Sequence, residues 1–183
     1  MIIAIFPGRF QPFHRGHATV FDYLQHEFGA ENSFIATSNT QSDTSPFDFD
    51  EKTILANRWG YGENMRYTKS PYKPHEITDN YDGEQDKVIF ALSIKDQDRF
   101  EITNSSYFQH WDADLNLKSF SEHAYILTVP TFKFKIAGNW VNSATGIRNA
   151  YTLANEKTRR QIIRDLYGEY DPEIKALFDR KLA

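Results

Sequence analysis

The chain begins MIIAIF, an apolar run without polar alternation, and the run breaks at once into Pro7 and Gly8. A strand with apolar side chains on both faces must be covered on both, as an inner strand of a parallel sheet is. The block Gly8 to His17, GRFQPFHRGH, follows directly. Val20, Phe21 and Leu24 then recur at helical spacing, with Phe28 one turn on and Gly29 as a stop. Strand, turn-rich loop and helix in that order place the loop beyond the carboxyl end of a strand. Open α/β sheets bind their ligands there.

The same alternation continues along the chain. Short apolar runs predict strands over 33–38, 65–68, 88–94 and 124–129. Residues 132–136 alternate apolar and lysine, which predicts an edge strand with Lys133 and Lys135 facing out. Helical character covers 14–28, 49–59, 143–154, 158–167 and 172–182, while 70–86 reads as loop with at most one helical turn. Residues 95–109 carry no clear period. The reading is a Rossmann-like, doubly wound α/β fold with a mostly parallel sheet and C-terminal helices. Residues 1–154 are expected to form this domain, with 155–183 as a helical extension packed on it. A chain of 183 residues can bury such a core without disulfides or metals.

Composition removes several classes. The net charge is −4, from 21 basic and 25 acidic residues, so the broad basic footprint of a nucleic-acid binder is absent. A local pocket for a small polyanion has to be built from a few particular residues. With no cysteine there is no disulfide, iron–sulfur cluster or thiolate zinc site. The opening apolar run is too short for a signal-peptide core and lacks a charged leader, and no later stretch approaches a membrane span. We therefore expect a soluble cytoplasmic protein with small-molecule partners and neither nucleic acid nor membrane. Homo-oligomerisation stays open.

Two blocks carry chemistry. In the first, His14 and His17 are three apart, so they share one face at a helix start, where backbone N–H groups and the helix dipole favour an anion. Gly16 between them is expected to let a phosphate group come close. Arg9 brings a planar, permanently charged fork. Two such histidines also suit zinc, but no third and fourth ligand lies near. In the second block, SATGIR, Ser143 is a good N-cap, Thr145 can donate to phosphate oxygens, and Arg148 lies one turn in, suited to a bidentate grip. Taken alone, this block fits a capped helix with a solvated arginine equally well. Paired with the first, it predicts two helix starts converging on one triphosphate.

The pair GRFQPFHRGH and SATGIR resembles the HxGH superfamily of nucleotidyltransferases, the cytidylyltransferase-like enzymes. Within it the first block is most similar to the nicotinamide-nucleotide adenylyltransferases of archaeal and bacteriophage type. The segment SPFDFDEK, 45–52, resembles the loop-helix after the second strand of that family, and KDQDRF, 95–100, a segment after its fourth. The resemblance implies transfer of AMP from ATP to a phosphate-bearing acceptor, with nicotinamide mononucleotide favoured, giving NAD and pyrophosphate. It implies that His14, His17 and Arg148 are catalytic. Gly8, Arg9, Phe10, Gly16, Ser143 and Thr145 join those three around ATP. Mg²⁺ is implied as part of the ATP complex, held by phosphate and water rather than by a protein cage. Attack is direct, without a protein nucleophile. The family pattern commonly has Ser, Gly or a similar small residue before the threonine and often an apolar or basic one after it, where this chain has Ala144 and Gly146. Gly146 comes at a cost of about 1 kcal/mol relative to Ala in a helix interior, and is expected to loosen Arg148.

Other residues carry less. Trp111, within YFQHW, is the acceptor-site aromatic we favour over Trp59 and Trp140, with Asp96 and Arg99 as polar acceptor contacts. A packed tryptophan and a salt-linked loop account for these residues as well. The same two motifs serve cytidylyltransferases and the pantetheine-phosphate and flavin adenylyltransferases, so the acceptor class stays open. A nucleotide-sensing module without turnover is the rival from another class. A hydride-transferring Rossmann enzyme is disfavoured, since neither G-x-G-x-x-G nor a P-loop occurs.

Overall fold

The computed structural model describes residues 1–100 and 106–183. They form two compact units that interleave in sequence. One comprises Met1–Arg9, Thr19–Asn39 and Asn64–Thr131; the other comprises Phe10–Ala18, Thr40–Glu63 and Phe132–Ala183.

The first unit holds a six-stranded sheet: β1 (Ile2–Pro7), β2 (Ser33–Thr37), β3 (Met65–Tyr67), β4 (Lys87–Leu92), β5 (Phe108–His110) and β6 (Ala124–Thr128). Their spatial order is β3-β2-β1-β4-β6-β5. Every pairing is parallel, with Ile5 opposite Phe34 and Ile3 opposite Val88. Ile3, Ala4 and Ile5 have no exposed surface, as a two-sided inner strand requires. One face of the sheet packs Ile3, Ile5, Phe34, Phe90 and Ile126 against Ile77 of the short helix α3 (His75–Thr78) and against Phe100. Helix α1 (Arg15–Phe28) contributes Val20, Phe21 and Leu24 as buried residues. Gly29 ends it at φ 93, donating its N–H to Gln25. The short helix α4 (Ile94–Gln97) follows β4.

The expected edge strand at 132–136 is present over 134–136 with Lys133 and Lys135 exposed, but it is not part of the six-stranded sheet. Residues 134–136 form β7 (Phe134–Ile136), which pairs antiparallel with β8 (Asn139–Val141) in a separate hairpin of the second unit. Ala137 and Gly138 turn it at φ 48 and 83, the doubly left-handed turn that suits the twist of a hairpin. The edges of the six-stranded sheet are β3 and β5, and β5 is three residues long with two exposed, too short to show a period.

The second unit also contains α2 (Phe49–Ala56), α5 (Ala144–Leu153), α6 (Glu156–Tyr167) and α7 (Pro172–Leu182). The expected boundary at 154/155 falls inside it, between α5 and α6. Its core is aromatic: Phe178 lies 5.3 Å from Phe47 and 5.1 Å from Tyr151, ring to ring. Side chains cap the helices. Asp48 and Glu51 close a capping box on α2, and Asn155 caps α6. Asp171 accepts from Glu173 and Ile174 at the start of α7, with Pro172 next to it. Lys175 of α7 pairs with Asp179 at 2.6 Å and with Glu156 of α6 at 3.0 Å. Among the described residues no helix is long and apolar enough to cross a membrane.

An Asp171→Ala variant, which leaves two first-turn amides of α7 without their acceptor, should lose about 1 kcal/mol of stability in urea denaturation.

Candidate active site

The segment Phe10 to Ala18, which carries both histidines, lies in the second unit together with the start of α5. The His14 and His17 rings stack at 3.7 Å between centroids, with their planes 22° apart. Each ring accepts a hydrogen bond from backbone at Nδ1. The Gly16 N–H donates to His14 Nδ1 at 3.1 Å, and the His14 N–H donates to His17 Nδ1 at 3.2 Å. A neutral imidazole that accepts at Nδ1 carries its proton at Nε2. Both rings are thereby set as neutral Nε2–H donors. The Gly16 amide, a first-turn donor of α1, is spent on the His14 ring rather than offered directly to an anion.

Burial keeps the pair neutral. Desolvation holds His14 well below the usual 6.5, helped by His17 and Arg15. Desolvation lowers His17 to about 3. The sheath is aromatic: Phe10 meets His17 edge-on at 5.0 Å, and Phe13 lies 5.4 Å from it. Phe10 is itself buried and sits at φ 50, where bulky residues are rarely found.

Gly16 serves a purpose different from the expected one. A Cβ built there would stand 2.8 Å from Phe132 Cγ and 2.9 Å from His14 Cε1. The space is filled by these two rings, not held open for phosphate. Glycine at 16 is what allows His14 to fold back onto the start of α1.

Arg148 is 8 % exposed and is held at two points. One guanidinium nitrogen donates to the Gln11 carbonyl at 2.8 Å, and the other to Thr145 Oγ1 at 3.3 Å. The late arginine is thus bonded to backbone three residues before His14. Ser143 caps α5 by accepting from the Gly146 N–H at 3.1 Å. The loosening expected from Gly146 is corrected, since Val141 Cγ1 lies only 2.9 Å from where its Cβ would be, and both anchors of Arg148 are intact.

Gln11 was not singled out by sequence reasoning. Its buried amide donates to the Phe47 carbonyl at 2.8 Å and accepts from the Phe47 N–H at 2.9 Å. One residue thus holds the SPFDFDEK segment with its side chain and Arg148 with its carbonyl. Tyr167 was missed as well: its hydroxyl donates to the Phe13 carbonyl at 2.6 Å. No local pattern marks either residue, because each acts through backbone remote in sequence.

The other candidates fall elsewhere. Gly8 and Arg9 belong to the first unit, where they extend the pairing of β1: Gly8 N–H reaches the Ala36 carbonyl at 3.1 Å, and Arg9 accepts from Thr37. The Arg9 side chain is exposed. Trp111 packs edge-on against Phe28, the last residue of α1, at the end opposite to its start. With Phe28 it lines a cleft of about 450 Å³. Asp96 accepts from Ser93 Oγ at 3.1 Å at the head of α4. The Arg99 side chain lies outside the described residues. Trp59 packs between Phe13 and Tyr167, at 6.0 and 5.7 Å. Trp140 is exposed, with Lys135 over its ring. Among the described residues no group of three His, Asp or Glu could hold a metal ion.

Known proteins are similar to this chain in sequence over part of it and in fold over most of it. A family model described as cytidylyltransferase-like matches residues 5–98. A stretch of 73 residues is 33 % identical to the nicotinamide-nucleotide adenylyltransferase of Sulfurisphaera tokodaii, covering 39 % of this chain and 42 % of that protein. The match therefore spans less than half of that relative. A Vibrio parahaemolyticus protein described as a nicotinate-nucleotide adenylyltransferase superposes with a TM-score of 0.53 at 16 % identity, over 97 % of both chains. The Plasmodium falciparum nicotinic acid mononucleotide adenylyltransferase, solved with NaAD, gives 0.53 at 12 % identity, over 98 % of this chain and 95 % of that one. At such identities these two structures speak for the fold. The matched segment takes in the end of β1, the histidine block and the strands up to β4, more than half of the chain, and on that ground the chain belongs to the cytidylyltransferase-like family.

Proposed function

We propose that the protein transfers AMP from ATP to the phosphate of nicotinamide mononucleotide, forming NAD and pyrophosphate. The observation that carries this reading is the stacked imidazole pair, with both Nδ1 atoms accepting from backbone, which puts the ring protons on Nε2. The partial identity to a nicotinamide-nucleotide adenylyltransferase supports the choice of acceptor.

An oxygen of the acceptor phosphate attacks the α-phosphorus of ATP. The new P–O bond forms as the bond to the β-phosphate breaks, and the electron pair leaves on pyrophosphate. His14 and His17 donate from Nε2 to the phosphate oxygens on which charge builds. Neutral donors in a desolvated site need no reorganisation as the charge develops. Arg148 contributes the fixed positive charge. Its anchors on Gln11 and Thr145 fix the guanidinium; in this reading it meets the β- and γ-phosphates, and the first-turn amides of α5 add the dipole of that helix. Mg²⁺ would come with ATP, held by phosphate and water, and would neutralise phosphate charge. Arg9, exposed beyond β1, is a further phosphate contact in this reading. Asp96 and Arg99 stay its acceptor-side candidates, whereas Trp111, packed on Phe28 at the far end of α1, is withdrawn.

A matrix of donors and acceptors read by pyrophosphate release tests the assignment. ATP with nicotinamide mononucleotide should give pyrophosphate and NAD. Turnover with CTP and an alcohol phosphate instead would replace the substrates, and binding without turnover of any pair would leave a sensor. His17→Ala should fold yet lose roughly 10²–10³-fold in kcat, the typical cost of one charge-stabilising donor.

The histidines also make stability depend on pH. Their folded pKa values lie below the unfolded 6.5, so the unfolded chain binds protons first as pH falls. Their contribution is complete above about 6.5 and is lost as pH falls toward the folded value of about 3 for His17. A His14→Asn/His17→Asn double variant should therefore lose less stability than wild type between pH 7 and pH 5, as urea midpoints will show.

A further inference from the structure

We propose that Tyr167 is a positioning residue for this reaction, fixing the orientation and tautomer of His17 through the peptide group between Phe13 and His14.

The two hydrogen bonds involved meet on one amide. The Tyr167 hydroxyl donates to the Phe13 carbonyl at 2.6 Å. The N–H of the same peptide group, that of His14, donates to His17 Nδ1 at 3.2 Å. A peptide group is planar and rigid, so a bond that fixes its C=O also fixes the direction of its N–H. Bonds in series through one amide also polarise each other. Withdrawing density at the carbonyl makes the N–H a better donor, which holds Nδ1 as acceptor and leaves the proton of His17 on Nε2.

Tyr167 is built for the task. Its ring is 3 % exposed, the last residue of α6, packed by Trp59 at 5.7 Å and Phe178 of α7 at 6.0 Å. Gly168 closes the helix behind it at φ 86, with its N–H on the Arg164 carbonyl. Burial pushes the phenol well above 10, so it remains a donor at any working pH. The C-terminal helices thereby gain a function. They hold a hydroxyl against the histidine loop.

The kinetic side of this inference rests on the proposed adenylyl transfer; the structural side does not. ¹⁵N spectra of the histidine rings at pH 7, without substrate, should show His17 as the neutral Nε2–H tautomer. A scalar coupling across the hydrogen bond should join the His14 amide nitrogen to His17 Nδ1. In Tyr167→Phe that coupling should disappear and the tautomers mix. kcat should fall about tenfold, the lower end of typical effects of outer-shell partners, with KM for ATP little changed. Tyr151→Phe is the control. Its hydroxyl bonds Asp179 at 2.7 Å, so its loss should lower stability while leaving the His17 signals and kcat as in wild type. Should Tyr167→Phe fail to fold, 3-fluorotyrosine at 167 keeps the ring and strengthens the donor, and the coupling should grow. A wild-type His17 protonated at Nδ1 overturns the inference. So do His17 signals unmoved by either change at 167, or altered signals with kcat unchanged. A wild type that releases no pyrophosphate sinks the adenylyl transfer instead, and the ring spectra still decide the relay.

Discussion

The loop from Phe10 to His14 has no regular structure of its own, and hydrogen bonds to its backbone hold its shape from outside. Arg148 takes the Gln11 carbonyl, and Tyr167 takes the Phe13 carbonyl. The Gln11 amide, in turn, clamps both polar groups of Phe47. Backbone groups buried without partners are costly, so a loop this deep must be satisfied by someone. The partners come from α5, from α6 and from the approach to α2. Each one ties an element of the second unit to the histidine block.

That arrangement also resolves the electrostatics. A protein of net charge −4 must offer a local pocket to a polyanion. In the proposed reaction it would do so with little formal charge. The two imidazoles are held neutral by burial and act as oriented dipoles, while Arg148 supplies a charge that cannot be titrated away. Stacking His14 on His17 would be unfavourable for two imidazolium ions, and desolvation removes that problem by keeping both uncharged. Gly16 is part of the same solution, since any side chain there would displace the His14 ring or Phe132.

Much of the fold could be read from residue order. Five of the six sheet strands stand where apolar runs predict them, and α7 runs Pro172–Leu182 as its proline and spacing indicate. The errors have physical causes. β5 is three residues long and mostly exposed, so periodicity cannot reveal it. The alternation of Phe132 to Ile136 is real, but the turn at Ala137 and Gly138 folds it onto its own neighbour. An alternating pattern specifies a half-buried strand and says nothing about its partner. At the site, the histidine block, the N-cap at Ser143 and Arg148 were visible as local patterns. Gln11 and Tyr167 were not, because a hydroxyl aimed at a carbonyl 154 positions away leaves no trace in spacing.

The sequence by itself determined the strand–loop–helix beginning, the N-cap at Ser143, and the exclusion of thiolate chemistry. These follow from side-chain identity and from periods of two and three to four residues, which are local properties. Only the tertiary structure decided that Arg148 reaches the loop of His14, that both Nδ1 atoms are occupied, and that the space at Gly16 belongs to rings. Those outcomes depend on which distant backbone groups meet and on how much water their meeting removes, and neither is encoded within any single stretch of the chain.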